Sequence, residues 1–431
     1  MTENIRFKLP PYPPLDKGGR RGGVAFLWDE SFLWGLMAHK ALKGLGLPFN
    51  LVTAEETQSG ALAGYRMLFV PGGWASNKGK KLGESGIRAI QDFVSRGGSY
   101  LGFCGGAGLA TGAKGGMGLL NVMRRPTSER VPSFSGRIEL NISEHPIWKG
   151  LAVPIFHAWW PSQFIVGDNG VNVLATYGSA LPDAFSSDLN VGDTEDCGGW
   201  KKFEDIYRIN LDPGRLVKEP SIIEGMYGKG KVILSLIHFD TPGDLNGEQA
   251  LVNLWEYLAG ERAEAEAQNY NKKSFSHDPV GAIHELPLQN LCSDLIALGE
   301  RNFLWFWRTP MLLQWRRGVR GFEYNTLYIM MKEILELMAS REAGAASYVP
   351  ALGKIKELLV PFIEKAERLL VLERHAMQDG HITYERCDDD EIRAIRLVLF
   401  SDSKSYGGMF KALIDEVDTL LFSLISLGKE T

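Results

Sequence analysis

Ser99-Tyr100-Leu101-Gly102-Phe103-Cys104-Gly105-Gly106-Ala107-Gly108-Leu109-Ala110 constrains this chain more than any other segment. A short apolar run stops at a cysteine, and small residues flank that cysteine before a helix-forming stretch. Where a strand turns sharply into a helix, the backbone takes crowded or positive-φ geometry. A side chain can project from such a turn only if its neighbours are small. A thiol there also stands at a helix N-terminus, whose dipole favours the thiolate. The stretch reads as a nucleophile elbow with Cys104 as the nucleophile. The competing reading is a tight glycine turn that packs closely or cradles phosphate, with Cys104 as a small buried apolar residue.

The flanking pattern supports a sheet. Val24-Ala25-Phe26-Leu27-Trp28, Leu51-Val52-Thr53 and Met67-Leu68-Phe69-Val70 read as buried strands. A helix is expected up to about Leu45. Another covers Ile87 to Arg96, where Ile87, Ile90, Phe93 and Val94 share one face and Gly97-Gly98 end it. Later strands are expected over Arg137–Ile142, Val173–Tyr177, Ile222–Tyr227 and Val232–Ile237, the last two joined by a Gly228-Lys229-Gly230 hairpin. A helix over Leu245–Leu258 closes the unit. Strands alternating with helices across short glycine turns predict an α/β fold with a parallel-rich, doubly wound (flavodoxin-like) sheet.

Beyond residue 260 the character changes. Leu327, Met330, Met331, Ile334 and Leu337 form a helical stripe. Ile355, Leu358, Leu359, Phe362, Ala366 and Leu369 form a second, with a kink or helix start at Pro361. Phe410, Leu413, Ile414, Val417, Leu421 and Leu424 form a third. These predict an all-helical C-terminal domain. The expected division is a Pro/Gly/Arg-rich flexible leader over 1–22, a sheet domain over 23–260, a polar linker over 261–284 and a helical bundle over 285–431.

Composition narrows the functions. The chain has 431 residues, 45% hydrophobic and 23% charged, with a net charge of -5. That is ordinary for a soluble protein and gives no footprint for nucleic acid. Cys104, Cys197, Cys292 and Cys387 lack disulfide or zinc-ligand spacing and suit reduced thiols of a cytoplasmic protein. No apolar run is long enough to cross a bilayer. Arg308 and Pro310 cut Phe303-Leu304-Trp305-Phe306-Trp307 short, and it reads as core or interface packing. No cofactor or metal is expected.

A thiol nucleophile needs a base, and the base needs an orienting partner. Ser235-Leu236-Ile237-His238-Phe239-Asp240 supplies both. In extended chain, residues two apart face the same side, so Asp240 can hold His238. Acyl transfer also needs converging N–H donors for an oxyanion. Pro71-Gly72-Gly73 follows a strand, and the Gly73 and Gly105 N–H groups are the candidates, with Gly72 beside them. Ligands of open α/β sheets bind beyond the carboxyl ends of the strands, where all three elements fall. His145 and His157 read as structural, with His157 the alternative candidate for a pocket rim; Asp29 and Glu30 read as helix caps, and Cys197, in an exposed loop among acids that raise its pKa, reads as a poor nucleophile.

Val70-Pro71-Gly72-Gly73, Gly98 through Gly106 and His238-Phe239-Asp240 resemble the ordered motifs of the class I glutamine amidotransferase-like superfamily. The run from Ile87 to Ala110, with Gly115-Gly116-Met117-Gly118-Leu119-Leu120, is nearest to the amidotransferase-like N-terminal domain of some biotin–protein ligases. The resemblance spans roughly residues 23–260. It implies Cys104 as nucleophile, His238 as base, Asp240 where the family usually has Glu, and Gly73 and Gly105 as oxyanion donors. The shorter acid sets the carboxylate back by about 1.5 Å. No biotin-ligase Gly-Arg-Gly motif, P-loop or synthetase-like half accompanies it. Two functions follow: a Cys-His-Asp hydrolase acting on a small carboxamide or peptide-like substrate, or a non-catalytic module whose helical domain docks a protein partner.

Overall fold

The computed structural model describes residues 23–167, 170–260, 286–340, 345–380, 382, 383, 386–402 and 404–427. The leader expected over 1–22 and the linker over 261–284 lie outside the described residues.

Four short strands open the fold: β1 (Val24–Leu27), β2 (Asn50–Val52), β3 (Met67–Val70) and β4 (Ser99–Phe103). They are parallel in the order β2-β1-β3-β4, and strand Gly230–Ser235 continues the parallel row beside β4. β1, β3 and β4 are buried along their whole length, as strands covered on both faces are. The connections are α1 (Phe32–Gly44), α2 (Ala54–Gln58), α3 (Ala75–Ser95) and α4 (Gly105–Leu109). A capping box between Thr53 and Glu56 starts α2.

The hairpin at Gly228-Lys229 forms as expected, with Tyr227 opposite Gly230. Strand Pro220–Tyr227 then reverses the direction of the sheet. Strands Asn172–Ala180 and Phe134–Ile142 follow antiparallel, and three shorter strands complete an 11-stranded mixed sheet with a parallel core. Register places the candidate site. Val70 pairs with Gly102, and Phe103 pairs with Ser235, so three adjacent strands end level. The chain leaves them toward Gly73, Cys104 and His238 respectively.

The C-terminal region is built from helices Leu286–Arg301, Gly321–Ala339, Ala345–Asp379, Asp390–Phe400 and Gly408–Leu427. The three apolar stripes lie in its interior. Pro361 starts no helix. It sits inside Ala345–Asp379, where the loss of one N–H is outweighed by the burial of Phe362, Ile363 and Ala366 around it. The region also carries a hairpin, Trp305–Thr309 with Leu312–Trp315, where only helix was expected. Trp305, Leu312 and Leu313 are buried while Phe306 is half exposed, and the run is too short to show a period.

Polar contacts tie the helical region to the sheet. Trp28 Nε1 donates to Asp418 Oδ1 at 3.0 Å, Lys411 Nζ reaches Glu30 at 3.0 Å, and Ser135 Oγ donates to Gln314 at 2.8 Å. Burial and neighbouring carboxylates push the Asp418 carboxyl well above its usual range, while the Trp28 bond acts against this. Trp28→Phe keeps an aromatic ring but removes the donor. It should cost about 1–2 kcal/mol in a urea melt.

Candidate active site

The elbow is built from backbone constraints. Cys104 has φ 47° and ψ -101°, a strained geometry for a non-glycine residue. Its N–H is fixed by Ser235 O at 2.8 Å. A Cβ on Gly105 would stand 1.8 Å from Gly73 O, and one on Gly106 would stand 2.0 Å from Val70 O. The elbow therefore presses against the Pro71-Gly72-Gly73 turn with no room for side chains between them. Gly73 itself has φ +115°. The N–H groups of Gly73 and Gly105 donate to no protein acceptor among the described residues.

Strain concentrates here. Among the described residues, four of the nine non-glycine positions with positive φ lie in this neighbourhood: Glu30, Phe32, Cys104 and Trp160. Glu30 O abuts Gly73. Lys78 braces the same turn from behind. It is 1% exposed, and its Nζ bonds Asp29 O at 3.1 Å and Ser31 Oγ. Burial brings its pKa down to about 7 against the pull of Asp29, Glu30, Asp418 and Cys104.

His238 and Asp240 come together as expected, by another route. Strand Gly230–Ser235 ends before them, so they stand in a turn and not in extended chain. Ser235 Oγ donates to Ile237 O at 2.8 Å and accepts from Ile237 N–H at 3.1 Å, a local bond set that diverts the backbone. His238 Nδ1 then meets Asp240 Oδ1 at 3.0 Å, with both side chains fully buried. The Asp side chain reaches despite its length because the turn brings it round. Main-chain bonds hold the ring in place: His238 N–H to His157 O at 3.0 Å, and Thr241 Oγ1 to His238 O at 2.9 Å.

The other ring nitrogen, Nε2, is buried with no partner of hydrogen-bond geometry. It is nonetheless close enough for His238 and Cys104 to perturb each other. We read this as proximity of thiol and ring rather than a formed bond. Burial pushes the thiol up, and His238 and Arg124 outweigh it, so the net direction is down. Burial pushes the imidazole down, and Asp240, followed by Cys104, raises it to about 10. Both shifts favour a thiolate–imidazolium pair. The expected helix dipole contributes little, because α4 is only five residues long; the charge comes from side chains.

Aromatic rings roof the site. Trp34 of α1 stacks on His238 at 4.4 Å and on Phe322 of the helical region at 5.5 Å, and Trp160 lies 6.0 Å from Trp34. Gly72 fits beneath, where a Cβ would meet Trp34 at 2.8 Å and His238 at 3.2 Å. Cys104 is packed round by protein yet keeps a partly open surface. A cavity of about 990 Å³ in the helical region, bordered by His375, Asp379 and Arg393, contains none of these residues. Trp34, Lys78, Arg124 and Phe322 were not singled out from the sequence, where each reads as ordinary helix or loop composition.

The remaining candidates make pairs of their own or lie at the surface. Asp29 accepts from Ala54 N–H at 2.6 Å, at the start of α2. His157 lies in a strand and pairs with Asp244 at 2.7 Å, and His145 stands 3.5 Å from Glu224. Cys197 is exposed. Among the described residues no group of acidic, His or Cys side chains could hold a metal, and no helix is long and apolar enough to cross a membrane.

The electrostatics give two expectations. The pH midpoint for Cys104 alkylation by iodoacetamide should lie below the ordinary 9.0. His238→Ala should move it upward and slow the reaction at neutral pH by about tenfold or more. The ring's folded pKa lies above its unfolded one. Its contribution to stability is therefore complete below about 6.5 and lost as the pH rises toward about 10.

No curated protein matches the chain in sequence. Structural likeness extends to PurLQS of Thermotoga maritima (15% identity, 55% of this chain and 99% of that one, TM-score 0.36). It extends also to a protein of Thermoplasma acidophilum described as a GMP synthase subunit (14%, 56% and 95%, TM-score 0.36). A β-galactosidase of Bacillus circulans sp. alkalophilus is similar over 56% of this chain and 32% of its own length (14%, TM-score 0.35). Residues 61–113 match the family model described as biotin-protein ligase, N terminal. The resemblance to that amidotransferase-like domain thus holds over the segment that carries the Pro-Gly-Gly turn and the Cys104 elbow.

Proposed function

We propose that this protein is a cysteine-dependent amide hydrolase of amidotransferase-like type, acting on a small carboxamide or peptide-like substrate. Residues 23–260 are the chemical unit, and the helical region over 285–431 covers the site. The observation that carries the reading is the buried His238–Asp240 pair beside a thiol on a strained elbow.

The Cys104 thiolate attacks the amide carbonyl carbon. The developing oxyanion is taken by the Gly73 and Gly105 N–H groups. The C–N bond breaks as His238 gives its proton to the leaving nitrogen, and a thioester remains on Cys104. Water then attacks the thioester while His238 accepts its proton. The C–S bond breaks, the acid leaves, and the thiolate is restored. Asp240 keeps the ring oriented and balances its charge throughout.

An electrophilic glutamine analogue should label Cys104, located by mass spectrometry. His238→Ala should abolish that labelling, and Asp240→Asn should slow it by about a hundredfold. Labelling that is unchanged in His238→Ala would contradict the assignment.

A second reading, a non-catalytic module docking a protein partner through the helical region, draws on Phe303 and Phe306, which are 76% and 46% exposed. An inert Cys104 at every pH tested would favour it. The roof supplies a further expectation. Phe322→Ala should speed labelling by bulky electrophiles more than by iodoacetamide. It should cost about 1–2 kcal/mol in stability, less than a fully buried Phe, because Phe322 is only partly buried.

A further inference from the structure

The segment from Trp28 to Phe32, between β1 and α1, is strained and held from two directions. Glu30 has φ 55° and Phe32 has φ 47°. Non-glycine residues keep such backbone only where their surroundings over-determine it. The first direction is helix Gly408–Leu427 and the turn before it. Asp418 Oδ1 accepts from Trp28 Nε1 at 3.0 Å, and the Phe422 ring lies 6.1 Å from that of Trp28. Lys411 Nζ donates to Glu30 Oε1 at 3.0 Å and stands 5.4 Å from the Phe32 ring centroid. Tyr406 meets Phe32 edge-on at 5.1 Å. The second direction is α3. Its Lys78 Nζ donates to Asp29 O at 3.1 Å and to Ser31 Oγ.

Glu30 joins the two. Its second carboxylate oxygen, Oε2, accepts from Asn77 Nδ2 at 3.3 Å. Asn77 and Lys78 begin α3, and the N–H of each bonds Trp74 O at 3.0 Å, directly after Gly73. The Glu30 carbonyl oxygen stands where a Cβ on Gly73 would meet it at 2.4 Å. One residue thus touches the Gly73 backbone through its carbonyl and the C-terminal helix through its carboxylate. The Lys411 and Glu30 side chains are 28% and 12% exposed, a setting in which losing one partner leaves the other charge poorly solvated.

We propose that Glu30, clamped by Lys411, is a positioning residue for the Gly73 N–H. The C-terminal helix then helps to build the oxyanion site and does more than cover it. The proposal rests on the reading of Cys104 as a nucleophile and of Gly73 as an oxyanion donor.

The test compares two reactions of Cys104 on the full-length protein, with the modified residue located by mass spectrometry. In alkylation by iodoacetamide the thiolate forms an S–C bond, iodide leaves, and no oxyanion arises. In acetylation by p-nitrophenyl acetate the thiolate attacks the acetyl carbonyl carbon, whose oxygen takes the charge. The aryl C–O bond then breaks and p-nitrophenolate leaves. The acetylation-to-alkylation ratio cancels the thiolate fraction and reports stabilisation of the oxyanion. Glu30→Gln keeps an acceptor for Asn77 and removes the charge that Lys411 meets. Lys411→Met removes the clamp from the other side, and also frees Asp415, which bonds Lys411 as well. Each should lower the ratio by about tenfold, less than the loss of an oxyanion donor outright. The double variant should lower it no further, and Lys411→Arg should keep it. The ratio at exposed Cys197 should not move in any of them. Urea melts run alongside, and should one variant not fold, the other carries the comparison. A merely structural role would lower the urea midpoint and leave the ratio of the folded protein unchanged. That result overturns the positioning role and leaves the nucleophile in place. An unaltered protein that is alkylated at Cys104 and never acetylated overturns the oxyanion donors. One inert to both reagents overturns the nucleophile, and the proposal falls with either.

Discussion

The site depends on one contact between two pieces of backbone. The Pro71-Gly72-Gly73 turn and the start of α4 press together so closely that no side chain fits between Gly73 O and Gly105. That approach is possible because β3 and β4 are adjacent and end level. It sets the direction in which Cys104 emerges. It also leaves two backbone N–H groups beside the thiol without acceptors among the described residues. Lys78 and the Glu30 carbonyl pack against the turn from the other side.

Charge is the second layer. His238 and Asp240 are withdrawn from water, and burial alone would disfavour the ring's proton. The carboxylate reverses that, and the protonated ring then supports a thiolate on Cys104. The short side chain of Asp240 opens no gap, because the backbone bends after Ser235 and brings the acid within 3.0 Å of the ring. Trp34 on the outer side of His238 keeps water away, and Phe322 links that stack to the helical region. The candidate site and the C-terminal packing therefore share one aromatic wall.

Much of this is legible in the sequence, for physical reasons. The glycines around Cys104 announce close approach, and buried parallel strands read as continuous apolar runs. The hairpin at Gly228-Lys229 and the three helical stripes are visible as turn chemistry and periodicity. What cannot be read are consequences of tertiary placement. The turn at His238 comes from a serine side chain bonding nearby backbone. The hairpin at Trp305–Trp315 is hidden in an aromatic run too short to show a period. Arg124, Lys78 and Trp34 matter because of what faces them, and nothing local marks a residue that meets its partners across the fold.

If Cys104 and His238 share charge as a thiolate–imidazolium pair, NMR titration of the His238 ring nitrogens should reveal it. The ring is expected to stay protonated well above 6.5, its ordinary pKa. In Cys104→Ala the midpoint should fall, because the thiolate's contribution is gone. A ring already neutral at the ordinary pH, with a midpoint indifferent to the loss of Cys104, would contradict the pairing.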